Sequence, residues 1–135
     1  MTKILCVLFA SVCILCAACS NTISEKTQKG EKPMYVEISA EEAKNIMDSE
    51  EEYVILDVRE QDEYDAGHIP GAILIPYTDI ESKAPAMLPD KDKTLLVYCR
   101  SGRRSKIAAA SLAELGYTNV KEFGGIIDWP YEVVK

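Results

Sequence analysis

Long apolar stretches are scarce in this sequence. The longest, Ile4 to Leu15, is twelve residues without a charge, too short to cross a bilayer as a helix. Positive charge is scarce too: 15 Lys and Arg stand against 22 Asp and Glu, a formal charge of −7. That balance argues against a surface that holds nucleic acid or anionic lipid by charge. Aromatic residues interleaved with basic ones, the pattern that stacks bases, are absent as well. There is no internal repeat. Cysteine thins out along the chain: of five cysteines, only Cys99 lies beyond residue 19. A disulfide within the folded part is therefore excluded, even in an oxidising compartment, and the lone thiol is a candidate for reactivity.

The start of the chain has a pattern of its own. Lys3 gives a basic beginning, the apolar run follows, and Ala17 and Ala18 supply small residues before Cys19. Together these make a secretory signal peptide over residues 1–18. The ending Cys16-Ala17-Ala18-Cys19 resembles the lipobox of bacterial lipoproteins, with Cys16 where an aliphatic residue is usual. The resemblance implies cleavage before Cys19, a lipid on its sulfur, and an extracytoplasmic protein held on a membrane by acyl chains. Loss of Lys3 takes the charge from −7 to −8, so the anchor is the lipid and not a basic patch. Ser20 to Pro33 is polar and nearly free of apolar residues, which makes residues 19–33 a flexible tether. Such a length of random coil spans roughly 20 Å.

The length of 135 residues leaves room for one domain, residues 34–135. Tyr35 to Ile38 predicts a short strand. Ser39 stands three residues before Glu42, the capping-box spacing, so a helix opens there, with Ala43, Ile46 and Met47 at helical intervals. Tyr53 to Leu56 is a compact apolar run suited to a strand buried on both faces. Glu60 to Ala66 predicts a short acidic helix or turn ended by Gly67, and Ala72 to Ile75 another strand. Met87 and Leu88 are expected to pack under the preceding loop. Thr94 to Tyr98 carries the strongest strand signal. Arg103 to Leu115 predicts a helix closed by Gly116, and Val120 to Phe123 a last strand. Strands separated by helices imply an α/β domain: a small, mostly parallel sheet with helices on both faces, in three layers. The acidic run Asp48 to Glu52 is expected to be a solvated helix end.

The segment that carries chemistry is Tyr98-Cys99-Arg100-Ser101-Gly102-Arg103-Arg104-Ser105. Cys99 ends a buried strand, where ligands of open α/β sheets collect. A helix begins just beyond it, and its unpaired N–H groups carry partial positive charge. Arg100, Arg103 and Arg104 add cations nearby. Such surroundings favour the thiolate, the nucleophilic form of cysteine. Gly102 lets the loop backbone curl its N–H groups toward one point. A buried structural cysteine is the plainer alternative, and the arginines with the glycine argue against it.

Here the sequence resembles the rhodanese family, over Met34 to Lys135. Cys99 to Ser105 looks like its active-site loop. Asp57-Val58-Arg59 with Glu60 and Tyr64, followed by Gly67-His68-Ile69-Pro70-Gly71-Ala72, looks like its N-terminal signature. Gly124-Gly125-Ile126-Ile127-Asp128-Trp129 looks like its closing signature. The resemblance implies a sulfurtransferase in which Cys99 takes the outer sulfur of an anionic donor such as thiosulfate as a persulfide and passes it to a thiophilic acceptor. The loop from Arg100 through Ser101, Gly102, Arg103 and Arg104 to Ser105 would cradle the persulfide and the donor's charge. Arg104 matches the family's Arg-or-Thr position and is expected to weigh more in donor binding than Arg103. Asp57, Arg59 and His68 are expected to brace the site, His68 within the Gly-His-Ile-Pro-Gly turn and not as a base. Trp129 is expected in the core or at a pocket lip. The implied chemistry needs no metal or organic cofactor, and a monomer suffices for it. Two other readings use the same cysteine. One is a carrier or sensor that holds a persulfide for a partner protein. The other is a cysteine-based phosphatase or arsenate reductase, which Tyr98 and Ser105 disfavour, since they stand where that class resembles His and Arg.

Overall fold

The computed structural model describes residues 34–49 and 52–135. The signal peptide, Cys19, the tether and part of the acidic run lie outside the described residues. Five strands run through the domain: β1 (Val36–Glu37), β2 (Tyr53–Asp57), β3 (Ile73–Leu74), β4 (Thr94–Cys99) and β5 (Val120–Gly125). They form one sheet in the order β1-β5-β4-β2-β3, with every ladder parallel. Helices α1 (Ala40–Ser49), α2 (Gln61–Ala66), α3 (Ile80–Met87) and α4 (Arg103–Glu114) connect them. This is the three-layer α/β arrangement that alternating strand and helix patterns call for.

Side-chain alternation along the central strands divides the core in two. On one face, Leu95, Val97 and Cys99 of β4 and Leu56 of β2 meet Ile80 and Ala84 of α3 and Ala108, Ala109 and Leu112 of α4. On the other, Leu96 and Tyr98 of β4 and Ile55 of β2 meet Ala43 of α1, Ile69, Phe123 and Trp129. All six residues of β4 are buried, so this strand reads as a continuous apolar run. Burying each large side chain contributes roughly 1.5–3 kcal/mol. The position of β4 at the sheet centre explains why its terminal residue, Cys99, is held so firmly.

Local signals set the helix ends. The Ser39 hydroxyl accepts from the Glu42 amide at 3.1 Å, and the Glu42 carboxylate accepts from the Ser39 amide at 2.7 Å. Glu60 and Glu63 repeat the capping box at α2. Gly116, at φ +92°, follows α4 in the left-handed conformation that ends many helices. One element is unexpected. The segment thought to be a loop before Met87 is a turn of 3-10 helix, Tyr77–Asp79, running into α3. Leu88 is buried at 4% exposure, whereas Met87 points to solvent at 47%, so only Leu88 packs inward. Trp129 lies in the core against Phe123, 5.5 Å between ring centroids, and its outer side lines a shallow groove with Lys44, Tyr53 and Tyr131.

Candidate active site

β4 delivers Cys99 to the carboxyl edge of the sheet, where it is 1% exposed. The chain then turns through Arg100 and Ser101, both exposed, to Gly102. Gly102 has φ +103°, the left-handed region, and stands at the N-cap of α4. A residue with a side chain is strained there. That conformation aims the Gly102 amide at the sulfur, 3.1 Å from Sγ. The loop is also supported from beneath. A Cβ on Gly125 would lie 2.0 Å from the Arg100 carbonyl oxygen, so only glycine lets β5 pass under the loop. The Ile127 amide donates to the same carbonyl at 3.2 Å. The paired glycines of the closing motif thus give the cysteine loop its seat.

Burial pushes the Cys99 thiol up. Hydrogen bonds from the amides of Ser105, Gly102 and Ser101 oppose it, and the thiol lies below its ordinary value. These donors converge from the loop and the first turn of α4 on one atom. Such a pocket of N–H groups stabilises a thiolate, and equally the anionic outer sulfur of a persulfide.

Ser105 is fully buried, with its Oγ 3.4 Å from Sγ. It also reaches Glu122 of β5: Oγ and Oε1 are 2.5 Å apart. Glu122 is 2% exposed and accepts in addition from the Gly124 amide at 2.8 Å. Sequence reasoning missed Glu122. Its place inside a strand gave no sign of partners, because Ser105 is seventeen residues away.

The three arginines behave differently from one another. Arg100 and Arg103 are exposed and join no ion pair among the described residues. Arg104 is committed to Glu63 of α2 in a two-pronged pair, Nη1 to Oε2 at 2.7 Å and Nη2 to Oε1 at 2.8 Å. The expected trio of cations is therefore two exposed groups and one neutralised group. The Arg104 guanidinium beside it holds the Glu63 carboxyl well below its usual range, at about 2. Glu63 was noticed only as part of an acidic turn. Its partner stands 41 positions on, beyond the reach of local spacing.

Asp57 and Arg59 lie on the opposite face of the sheet from Sγ, and they do not touch it. Asp57 is fully buried, its Oδ2 2.6 Å from Nη2 of Arg59 and 2.7 Å from the Tyr98 hydroxyl. Tyr98 in turn accepts from the Ile69 amide at 3.1 Å, and Arg59 donates to the Gly67 carbonyl at 2.7 Å. Burial and the neighbouring Asp57 keep the Tyr98 phenol firmly protonated. This network ties β2, β4 and the Gly67–Ala72 turn together. His68 stacks on Tyr64 at 3.7 Å between ring centroids, and its backbone pairs with Val134. It braces the C-terminal segment. Among the described residues, no cluster of His, Cys, Asp or Glu could hold a metal ion.

Comparison with known proteins agrees with this geometry. The rhodanese-like domain family matches residues 39–130. Thiosulfate sulfurtransferase PspE of Escherichia coli is 40% identical over 80 residues, covering 59% of this chain and 77% of PspE. The putative sulfurtransferase YtwF of Bacillus subtilis is 38% identical over 96 residues, covering 71% of this chain and 91% of YtwF. Among solved structures, an E. coli rhodanese determined with anions superposes with a TM-score of 0.58 at 38% identity, covering 62% of this chain and 98% of that one. A parallel sheet that ends in a cysteine loop, together with these matches, defines a sulfurtransferase-type domain. The chain belongs to the rhodanese-like domain family.

Proposed function

We propose that the protein is a thiosulfate-type sulfurtransferase that works through a persulfide on Cys99. The observation that carries this reading is the Gly102 amide 3.1 Å from Sγ, set in a loop whose other amides also favour an anionic sulfur. In the first half-reaction, the Cys99 thiolate forms an S–S bond to the sulfane sulfur of thiosulfate. The donor's own S–S bond breaks, and sulfite leaves with the electron pair. In the second, a thiophilic acceptor attacks the outer sulfur and Cys99 departs as thiolate. No net redox change and no cofactor enter. Arg100 and Arg103 are exposed at the loop, where they attract the anionic donor against the net charge of −7.

Turnover of thiosulfate with cyanide to thiocyanate tests the reading. Activity that is abolished by Cys99→Ser supports it; thiocyanate formation by the mutant at the wild-type rate refutes it. A second reading is a persulfide carrier that loads once and unloads only to a protein partner. The putative sulfur carrier protein YrkF of Bacillus subtilis, 39% identical over 94 residues but only half covered by this chain, favours keeping it. A carrier would load from thiosulfate without sustained thiocyanate production. We further propose, from the lipobox-like ending at Cys19, that the protein is a monomeric, lipid-anchored extracytoplasmic protein.

A further inference from the structure

One buried ionisable group has no part in that mechanism. Glu122 lies on the α4 face of the sheet, 2% exposed, and reaches the active sulfur through a single hydroxyl. Its neighbours are few. Lys106 of α4 is the nearby cation, and it is paired with Glu37 of β1 at 2.9 Å. Tyr35, before β1, senses Glu122 and Glu37 together. Ser105 and the Gly124 amide are its hydrogen-bond donors. Cys99 lies beyond Ser105 on the same face of the sheet, which Tyr117 and Tyr77 also share.

The Ser105 hydroxyl has one proton and four acceptors around it. Glu122 Oε1 is nearest at 2.5 Å, the Gly102 carbonyl follows at 3.0 Å and that of Gly124 at 3.3 Å, and Sγ is farthest at 3.4 Å. A charged oxygen at the shortest distance takes the proton, because hydrogen bonds to ionised groups are the shorter and stronger ones. Ser105 is then left with lone pairs to offer the sulfur, and a lone pair accepts from S–H but repels S⁻. Through the same hydroxyl, a carboxylate adds like-charge repulsion against a thiolate. Both effects have the same sign.

We propose that Glu122, acting through Ser105, is a positioning residue that restrains ionisation of Cys99 in the unloaded protein. The loop amides pull the thiol toward the thiolate, and Glu122 holds it back. The consequence is protective, because the thiolate is the form that oxidants and alkylating agents attack. Once sulfur is loaded, the negative charge moves one bond outward, away from Ser105, and the restraint weakens. This inference rests on Cys99 being the working atom, but its test reads ionisation alone.

The experiment is the pH dependence of iodoacetamide alkylation at Cys99, followed by mass spectrometry of the Cys99 peptide from the full chain. Glu122→Gln keeps the shape and the Gly124 contact while removing the charge. Its ionisation midpoint should fall by about one pH unit, so that alkylation one unit below the wild-type midpoint rises about fivefold. The plateau at high pH should not change. An unchanged or raised midpoint overturns the proposal. Ser105→Ala provides a second arm. Loss of a lone pair facing S–H should lower the midpoint, whereas a rise would show that Ser105 donates to the thiolate and would also overturn the proposal. If sulfur transfer itself were absent, these midpoints would still be measured.

Discussion

The Glu63–Arg104 pair makes a quantitative prediction about stability and pH. It joins α2 to the first turn of α4, the turn that supplies amides to Sγ. The Glu63 carboxyl, ordinarily at 4.5, is held at about 2, first by hydrogen bonding to Arg104, against the opposing effect of burial. A group depressed on folding contributes stability above its unfolded value and loses it as pH falls through its folded value. The window is therefore from about 4.5 down to about 2. The full displacement corresponds to about 3 kcal/mol. With a quarter of the Glu63 side chain exposed, screening by solvent reduces this to about 1–2 kcal/mol. Glu63→Gln retains an acceptor for the Glu60 amide, so the capping box survives and the charge alone is lost. Denaturant unfolding at pH 7 should show the mutant less stable by about 1–2 kcal/mol, or about 5–10 °C in Tm for a domain of this size. The gap between the two proteins should narrow as pH falls below about 4.5 and close only near about 2. A gap that persists unchanged in acid, or no gap at neutral pH, would refute the reasoning.

Two further outcomes follow from the same geometry, and a third from the proposed lipid anchor at Cys19. Gly125→Ala places a methyl group against the Arg100 carbonyl, 2.0 Å away; it should cost at least about 1–3 kcal/mol and displace the loop, so persulfide loading should fall more than stability does, as read by thiosulfate incubation beside denaturant melts. Arg103→Ala should weaken use of thiosulfate about two- to fivefold at low salt, the scale of an exposed charge, and the penalty should shrink at physiological ionic strength; a salt-independent loss in initial-rate assays would mean the side chain shapes the loop instead. Cys19→Ala should move the protein from the membrane to the soluble fraction with turnover unchanged; retention in the membrane after signal cleavage would point to another anchor.

Much of the fold could be read from local pattern. β4 announced itself because a strand buried on both faces has no room for polar residues, and Thr94 to Cys99 has only its ends polar. The capping boxes at Ser39 and Glu60 operate over three residues, so their spacing is visible in the chain. α3 was hidden because Pro85 sits inside it, and proline ordinarily breaks a helix; here the helix ends two residues later and the Leu88 amide still reaches the Ala84 carbonyl at 2.7 Å. The cysteine loop was legible as strand, glycine and helix start in direct succession. Its charge balance was not. Whether Arg104 stands free depends on α2 packing beside α4, and whether Ser105 faces a carboxylate depends on the register of β5. Such long-range pairings are products of the assembled sheet, and no spacing along the chain encodes them.

The measurement that bears most directly on the central claim is the intact mass of the protein after incubation with thiosulfate and removal of excess donor. The account predicts a gain of one sulfur atom, located on the Cys99 peptide, discharged by cyanide and absent in Cys99→Ser. A protein that stays at its original mass, or that gains sulfur equally in Cys99→Ser, would contradict it.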